Sequence, residues 1–114
     1  MTHAVSTRDG TAVITLRGRV MGGPDGATLY ETLRSLSEDG CTRAVLDLSA
    51  VDEMNPLGLG VLVGALALMR NQGGELAFAA VPKHVRSLLM IARLGPAVPC
   101  HDTVDDALAA LAGD

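Results

Sequence analysis

At 114 residues the chain has the length of one domain, and at that size it buries roughly two-thirds of the surface its unfolded form exposes. Hydrophobic residues make up 48% but aromatic residues only 2%, so the core is built from Leu, Val, Ile, Met and Ala, and recognition of bases or sugars by ring stacking is disfavoured. A formal charge of −4 weighs against an electrostatic grip on nucleic acid or on anionic membranes.

Residues 4–8 read as a short strand, and Asp9-Gly10 is a hairpin signal. Thr11 to Arg17 alternates and is β-branched, which predicts a second strand. Gly18 to Gly26, GRVMGGPDG, reads as a glycine-rich loop running into a helix, with Pro24 suited to its first turn and Asp25 favourable to the helix dipole. Leu29, Tyr30, Leu33 and Leu36 share one face of that helix, and Gly40 stops it.

The central stretch, Arg43 to Gln72, begins with Ala44–Leu48, of strand length and composition. Ser49–Pro56 reads as a polar loop, and Leu57–Met69 as a buried helix punctuated by glycine. That apolar run is shorter than the roughly 20 residues a membrane span needs. The Gly60/Gly64 spacing suits a helix lying close on a sheet. Glu75–Val81 is a further strand, and Pro82 opens a helix whose stripe is Val85, Leu88, Leu89 and Ala92, ended by Gly95-Pro96. Ala97–Cys100 reads as a short edge strand. Thr103 to Asp106 resembles a capping box before a last helix carrying Val104, Ala107, Leu108 and Leu111. The order β-β-α-β-α-β-α-(β)-α predicts one α/β domain.

No reaction chemistry stands out from these residues. Gly58-Leu59-Gly60 with Gly64 lacks both the GxxxxGK[ST] and the post-strand GxGxxG patterns of phosphate loops. His3, His84 and His101 stand singly, and Cys41 and Cys100 have no metal-type spacing and read as reduced thiols of a cytoplasmic protein, with a disulfide between them as the alternative. Ser35, Ser49 and Ser87 lack a nucleophile-elbow context. Asp47, Asp52 and Glu53 are candidate paired carboxylates, but Asp52-Glu53 is more simply a solvated loop edge. No catalytic residue, metal ligand or cofactor is expected, and the favoured class is a binding module. The N-terminus has neither a basic n-region nor an apolar h-region, so no signal peptide is visible.

The central stretch, VLDLSAVDEMNPLGLGVLVGALALMRNQGGELAFAAV, closely resembles the STAS domain of bacterial anti-sigma factor antagonists. The resemblance runs through V-L-D-L-S, a D/N-S-S-G-L-G type motif, R-N-x-G-G-E-L, V-P-x-x-V-R-x-L-L, R-L-G and the terminal T-V-D-D-A-L-A-A-L. It also takes in the GRVMGGPDG loop, so it spans about residues 11–112 of a single domain covering 1–114. It implies a mixed, mostly parallel sheet of about four to five strands with about four helices, packed largely on one face. In the family, a partner anti-sigma kinase phosphorylates the second serine of the motif. Aligning Gly58-Leu59-Gly60 with G-L-G puts Asn55 at the Asp/Asn position, Pro56 at the first serine and Leu57 at the phosphoacceptor, which therefore lacks a hydroxyl.

The resemblance thus implies a non-enzymatic partner of an anti-sigma factor or related kinase, without the usual switch. A homodimer is a further partner class; nucleic acid and membrane insertion are not expected. The expected contact surface is Asn55, Pro56, Leu57, Gly58, Leu59 and Gly60, with Met21, Gly22 and Gly23 beside it. A plainer reading of Pro56 and Leu57 is a helix first turn whose leucine covers the apolar helix. Two alternatives are a STAS subunit docking on the ATPase of a membrane (lipid) ABC transport assembly, and an anion-holding module using the helix N-terminus at Leu57–Gly60.

Overall fold

The computed structural model describes residues 1–112. Its elements are β1 (Thr2–Arg8), β2 (Thr11–Val20), α1 (Pro24–Glu38), β3 (Arg43–Met54), α2 (Pro56–Asn71), β4 (Glu75–Ala79), α3 (Lys83–Ile91), a 3-10 turn (Gly95–Ala97), β5 (Cys100–His101) and α4 (Val104–Ala112). The five strands lie in sequence order, β1-β2-β3-β4-β5, with β1 antiparallel to β2 and every later pair parallel. The β1–β2 hairpin turns on Asp9 and Gly10 with φ of 52° and 84°, the two positive values a primed two-residue turn requires. The expected mixed, mostly parallel α/β sheet is the one observed.

Adding parallel strands in one direction through right-handed crossovers puts the connecting helices on the same face. Accordingly Leu29 and Leu33 of α1, Leu62 and Met69 of α2, and Val85 and Leu89 of α3 share one buried cluster with Ile14, Leu16, Leu46, Leu48, Leu76 and Phe78 of the sheet. Alternation along β3 and β4 sends Val45, Ala77 and Ala79 to the opposite face. There α4 packs Ala107 onto them, flanked by Val104, Leu108 and Leu111. Small alanines on that face let α4 lie close. Its N-terminus is capped as expected, with the Thr103 hydroxyl accepting the Asp106 N–H at 3.0 Å.

Several boundaries differ from the sequence expectation, and each has a local cause. Strand β3 runs to Met54, through most of the expected Ser49–Pro56 loop. Opposite β2 its register slips twice: Thr15↔Asp47 is followed by Arg17↔Ala50, and Gly18↔Val51 by Arg19↔Glu53. Each slip inserts one extra β3 residue, so the buried positions run Leu48, Val51, Met54 at a spacing that hides the two-residue period. Asp52 and Glu53 are thus exposed strand residues rather than a loop edge. The expected Gly18–Gly26 loop is likewise shorter, since β2 continues to Val20 and α1 begins at Pro24.

Strand β4 stops at Ala79, before Ala80 takes a left-handed φ of 53°. Helix α3 ends at Ile91, ahead of the Gly95-Pro96 stop, and residues 95–97 form a 3-10 turn, leaving β5 only Cys100 and His101. Gly60 and Gly64 do not seat α2 on the sheet. A methyl on Gly60 would meet open space, whereas one on Gly64 would overlap the Tyr30 hydroxyl of α1.

Candidate functional site

Strands β2 and β3 end side by side, with Val20 paired to Met54, and the chain leaves both at the same edge of the sheet. From β3 it turns directly into α2. Asn55 has extended backbone, and its side-chain Oδ1 accepts the Gly58 N–H at 2.8 Å while its carbonyl accepts the Leu59 N–H at 2.9 Å. Pro56 is the first helical residue, where its missing N–H removes nothing. Of the first three helical residues, the cap takes Gly58 and Pro56 has no donor, so only Leu57 retains an uncapped N–H. An anion arriving here would therefore find little of the open amide array that such sites use.

Gly58 sits where α2 touches the end of β2. A methyl group there would collide with the Val20 carbonyl oxygen and lie 2.6 Å from its carbon and 3.2 Å from Met54 Cγ. This glycine is required for a close approach of two backbones. The second contact comes from the β2–α1 connection: Gly22, with φ of 93°, packs so tightly on the helix start that a methyl would lie 2.9 Å from Leu57 Cβ. Tyr30 of α1 braces the next turn, its hydroxyl donating to the Val61 carbonyl at 2.9 Å. Partial burial pushes the Tyr30 phenol above its ordinary pKa. Arg19 and Glu53 pair at 3.0 Å across the exposed faces of the two strand ends.

The structure thus brings Gly22 and Leu57 into contact from segments far apart in the chain, with Met21 and Gly23 alongside. Pro56, Leu57, Gly60 and Gly23 are exposed, and Asn55, Met21 and Gly22 are half-buried. Leu57 is 71% exposed and does not cover the apolar helix. Leu59, at 5% exposed, is a core residue and Gly58 is buried, so both support the surface from beneath. Val20, Met54 and Tyr30 were not among the residues expected here. Their part is a backbone carbonyl, a packing thioether and a brace, none of which leaves a sequence pattern.

The rest of the expected chemistry stays dispersed. His3 Nε2 lies 2.8 Å from Thr32 Oγ1, between β1 and α1. The Asp47 carboxylate accepts the Ser49 N–H at 3.0 Å, at the first bulge of β3. Cys41 and Cys100 are both free thiols. Among the described residues no three His, Cys, Asp or Glu side chains converge as a metal site, and no helix is long and apolar enough to cross a membrane.

Residues 3–99 match the family model described as Mlab, STAS domain. The chain belongs to the STAS domain family. A curated relative, the anti-sigma F factor antagonist of Paenibacillus polymyxa, is 35% identical over 71 residues, covering 62% of this chain. That match spans 61% of the relative's own length. Among solved structures, a candidate anti-sigma factor antagonist from Thermotoga maritima superposes with a TM-score of 0.84 at 19% identity, covering 96% of this chain and 94% of the other. An anti-sigma factor antagonist from Mycobacterium paratuberculosis gives 0.80 at 25% identity, covering 97% and 93%. These names describe proteins that antagonise an anti-sigma factor. In this STAS domain the glycine-seated start of α2 and the β2–α1 connection form one continuous surface.

Proposed function

We propose that this STAS domain is a non-enzymatic interaction module that binds an anti-sigma factor of the serine-kinase type and so regulates sigma-factor-dependent transcription. The surface is Asn55–Gly60 with Met21–Gly23. The observation that carries the reading is Leu57, an apolar side chain left exposed at the start of α2, beside Gly22 of the β2–α1 connection. Burying a leucine side chain in a partner is worth about 1.5–3 kcal/mol, enough to make it an anchor. By the motif alignment Leu57 occupies the phosphoacceptor position. A phosphate there would add about −1.5 to −2 charge at the contact, and a leucine offers no oxygen to carry it. The domain then docks in a state that phosphorylation at this position does not interrupt.

The test is affinity capture from the native host, with wild-type bait beside a Leu57→Asp variant. A carboxylate in the first turn of α2 suits the helix dipole, so the fold is retained while the contact gains charge. Capture of an anti-sigma-type kinase by wild type, reduced at least about tenfold by Leu57→Asp, is the expected result. Equal capture by both baits would remove Leu57 from the contact. A second reading draws on the match to the Mlab type of STAS domain: a subunit docking through the same surface on the ATPase of a membrane transport assembly. Capture of a transporter ATPase in place of a kinase would select it.

A further inference from the structure

Helix α3 and the turn after it are basic within an acidic chain. Between Glu75 and Asp102 no residue is acidic, whereas Lys83, Arg86 and Arg93 all fall there. The inner face of α3 is spent on the core through Val85 and Leu89. Its outer face ends in Met90 and Ile91, 76% and 80% exposed, two of the four large hydrophobic residues left exposed among those described. Beside them a groove of about 350 Å³ opens between α3 and β5, lined by Arg86, Leu89, Met90, Arg93, Pro96 and Cys100 among others. It shares no residue with the surface around Leu57. Burial pushes the Cys100 thiol above its ordinary pKa, with Arg86 partly offsetting this, so that wall of the groove is uncharged near neutral pH.

The cations on the rim are placed by structure. Arg86 is anchored through Nε, which donates to the Val81 carbonyl at 3.1 Å, and through Nη2, which donates to Asp102 at 3.2 Å. The guanidinium keeps further N–H donors for another acceptor. Arg93 follows the helix C-cap in the left-handed region, φ 58°, where glycine is the residue that fits without strain. The Leu94 N–H bonds the Leu89 carbonyl at 2.9 Å and the Arg93 N–H bonds the Met90 carbonyl at 3.1 Å, a helix-ending pattern that places a long cation at the mouth of the groove. Among the described residues no carboxylate pairs with Arg93.

We propose that this groove is a second docking surface, which takes an acidic segment of a partner protein: an aliphatic or aromatic anchor side chain against Met90 and Leu89, and flanking carboxylates on Arg86 and Arg93. Charge complementarity selects that occupant, because an apolar floor ringed by arginine donors matches carboxylates beside an anchor. The three cations of this helix and the turn after it fall short of the four to eight that mark recognition of anionic lipid. A module with two separate surfaces can hold two proteins at once.

The test is selection of random displayed peptides on the wild-type domain, with counter-selection on a Met90→Asp/Arg93→Glu variant. Enriched peptides are expected to carry two or more Asp or Glu residues around a Leu, Ile or Phe. A synthetic peptide of the enriched sequence should bind at least about tenfold more weakly to Arg93→Glu, weaken with salt, and bind Leu57→Asp within about twofold of wild type. Arg93→Gly separates binding from folding, since relief of the left-handed strain should raise the melting temperature while peptide affinity falls. Enrichment of peptides without acidic residues, or equal affinity for wild type and Arg93→Glu, would overturn the proposal. So would selection of no peptide, with the domain instead sedimenting with vesicles of phosphatidylglycerol.

Discussion

The tight seat of α2 on β2 makes Gly58→Ala a sharp probe of the site. The added methyl would lie 2.6 Å from the Val20 carbonyl carbon. Carbon atoms rest at about 3.5–4.0 Å, so the helix start must retreat by roughly 1 Å. Both partners are backbone, and no rotamer change relieves the clash. Overpacking of this kind costs about 1–3 kcal/mol, against which alanine in a helix gains roughly 0.5–1 kcal/mol over glycine. We expect a net loss of about 1.25 kcal/mol. With an unfolding entropy near 2.1 cal/mol/K per residue, that lowers the melting temperature by about 5 °C for a domain of this size. Gly60→Ala, two residues on, meets nothing within 4 Å and should stabilise by a few tenths to 1 kcal/mol. Thermal unfolding followed by circular dichroism at 222 nm reads both variants. Should Gly58→Ala melt at or above the wild-type temperature, alongside Gly60→Ala, the close approach of α2 to β2 would be refuted.

Asn55→Ala removes the side-chain cap on Gly58 and should destabilise by about 1 kcal/mol in urea titration, while Asn55→Asp, which keeps the acceptor, should stay near wild type. Tyr30 is the sole tyrosine and there is no tryptophan, so absorbance at 295 nm reports its ionisation alone. Burial raises its folded pKa above the ordinary value of 10.0, and the midpoint should lie above that. The unfolded chain then sheds the proton first: stability from this group is complete below about pH 10 and is lost as pH rises through the folded pKa. Tyr30→Phe should abolish that alkaline loss and, by removing the bond to the Val61 carbonyl, cost about 1 kcal/mol at neutral pH.

What the sequence alone determined is whatever one segment shows by itself. The turn at Asp9-Gly10, the alternation in Thr11–Arg17, the stripes of α1 and α3 and the Thr103 cap each reflect a local rule of backbone geometry, and each was legible without neighbours. Their alternation along the chain was enough for the α/β class, and the order of motifs for the STAS family. The tertiary structure alone decided the rest. The double bulge of β3 exists because that strand must keep pairing with β2 while delivering Leu48, Val51 and Met54 to one core, which erases the period by which strands are read. The role of Gly58 depends on the Val20 carbonyl, 38 positions away in the chain, and the exposure of Leu57 depends on where α2 leaves the core. The Leu57 surface lies where two strand ends and a helix start converge, and only packing brings those segments together.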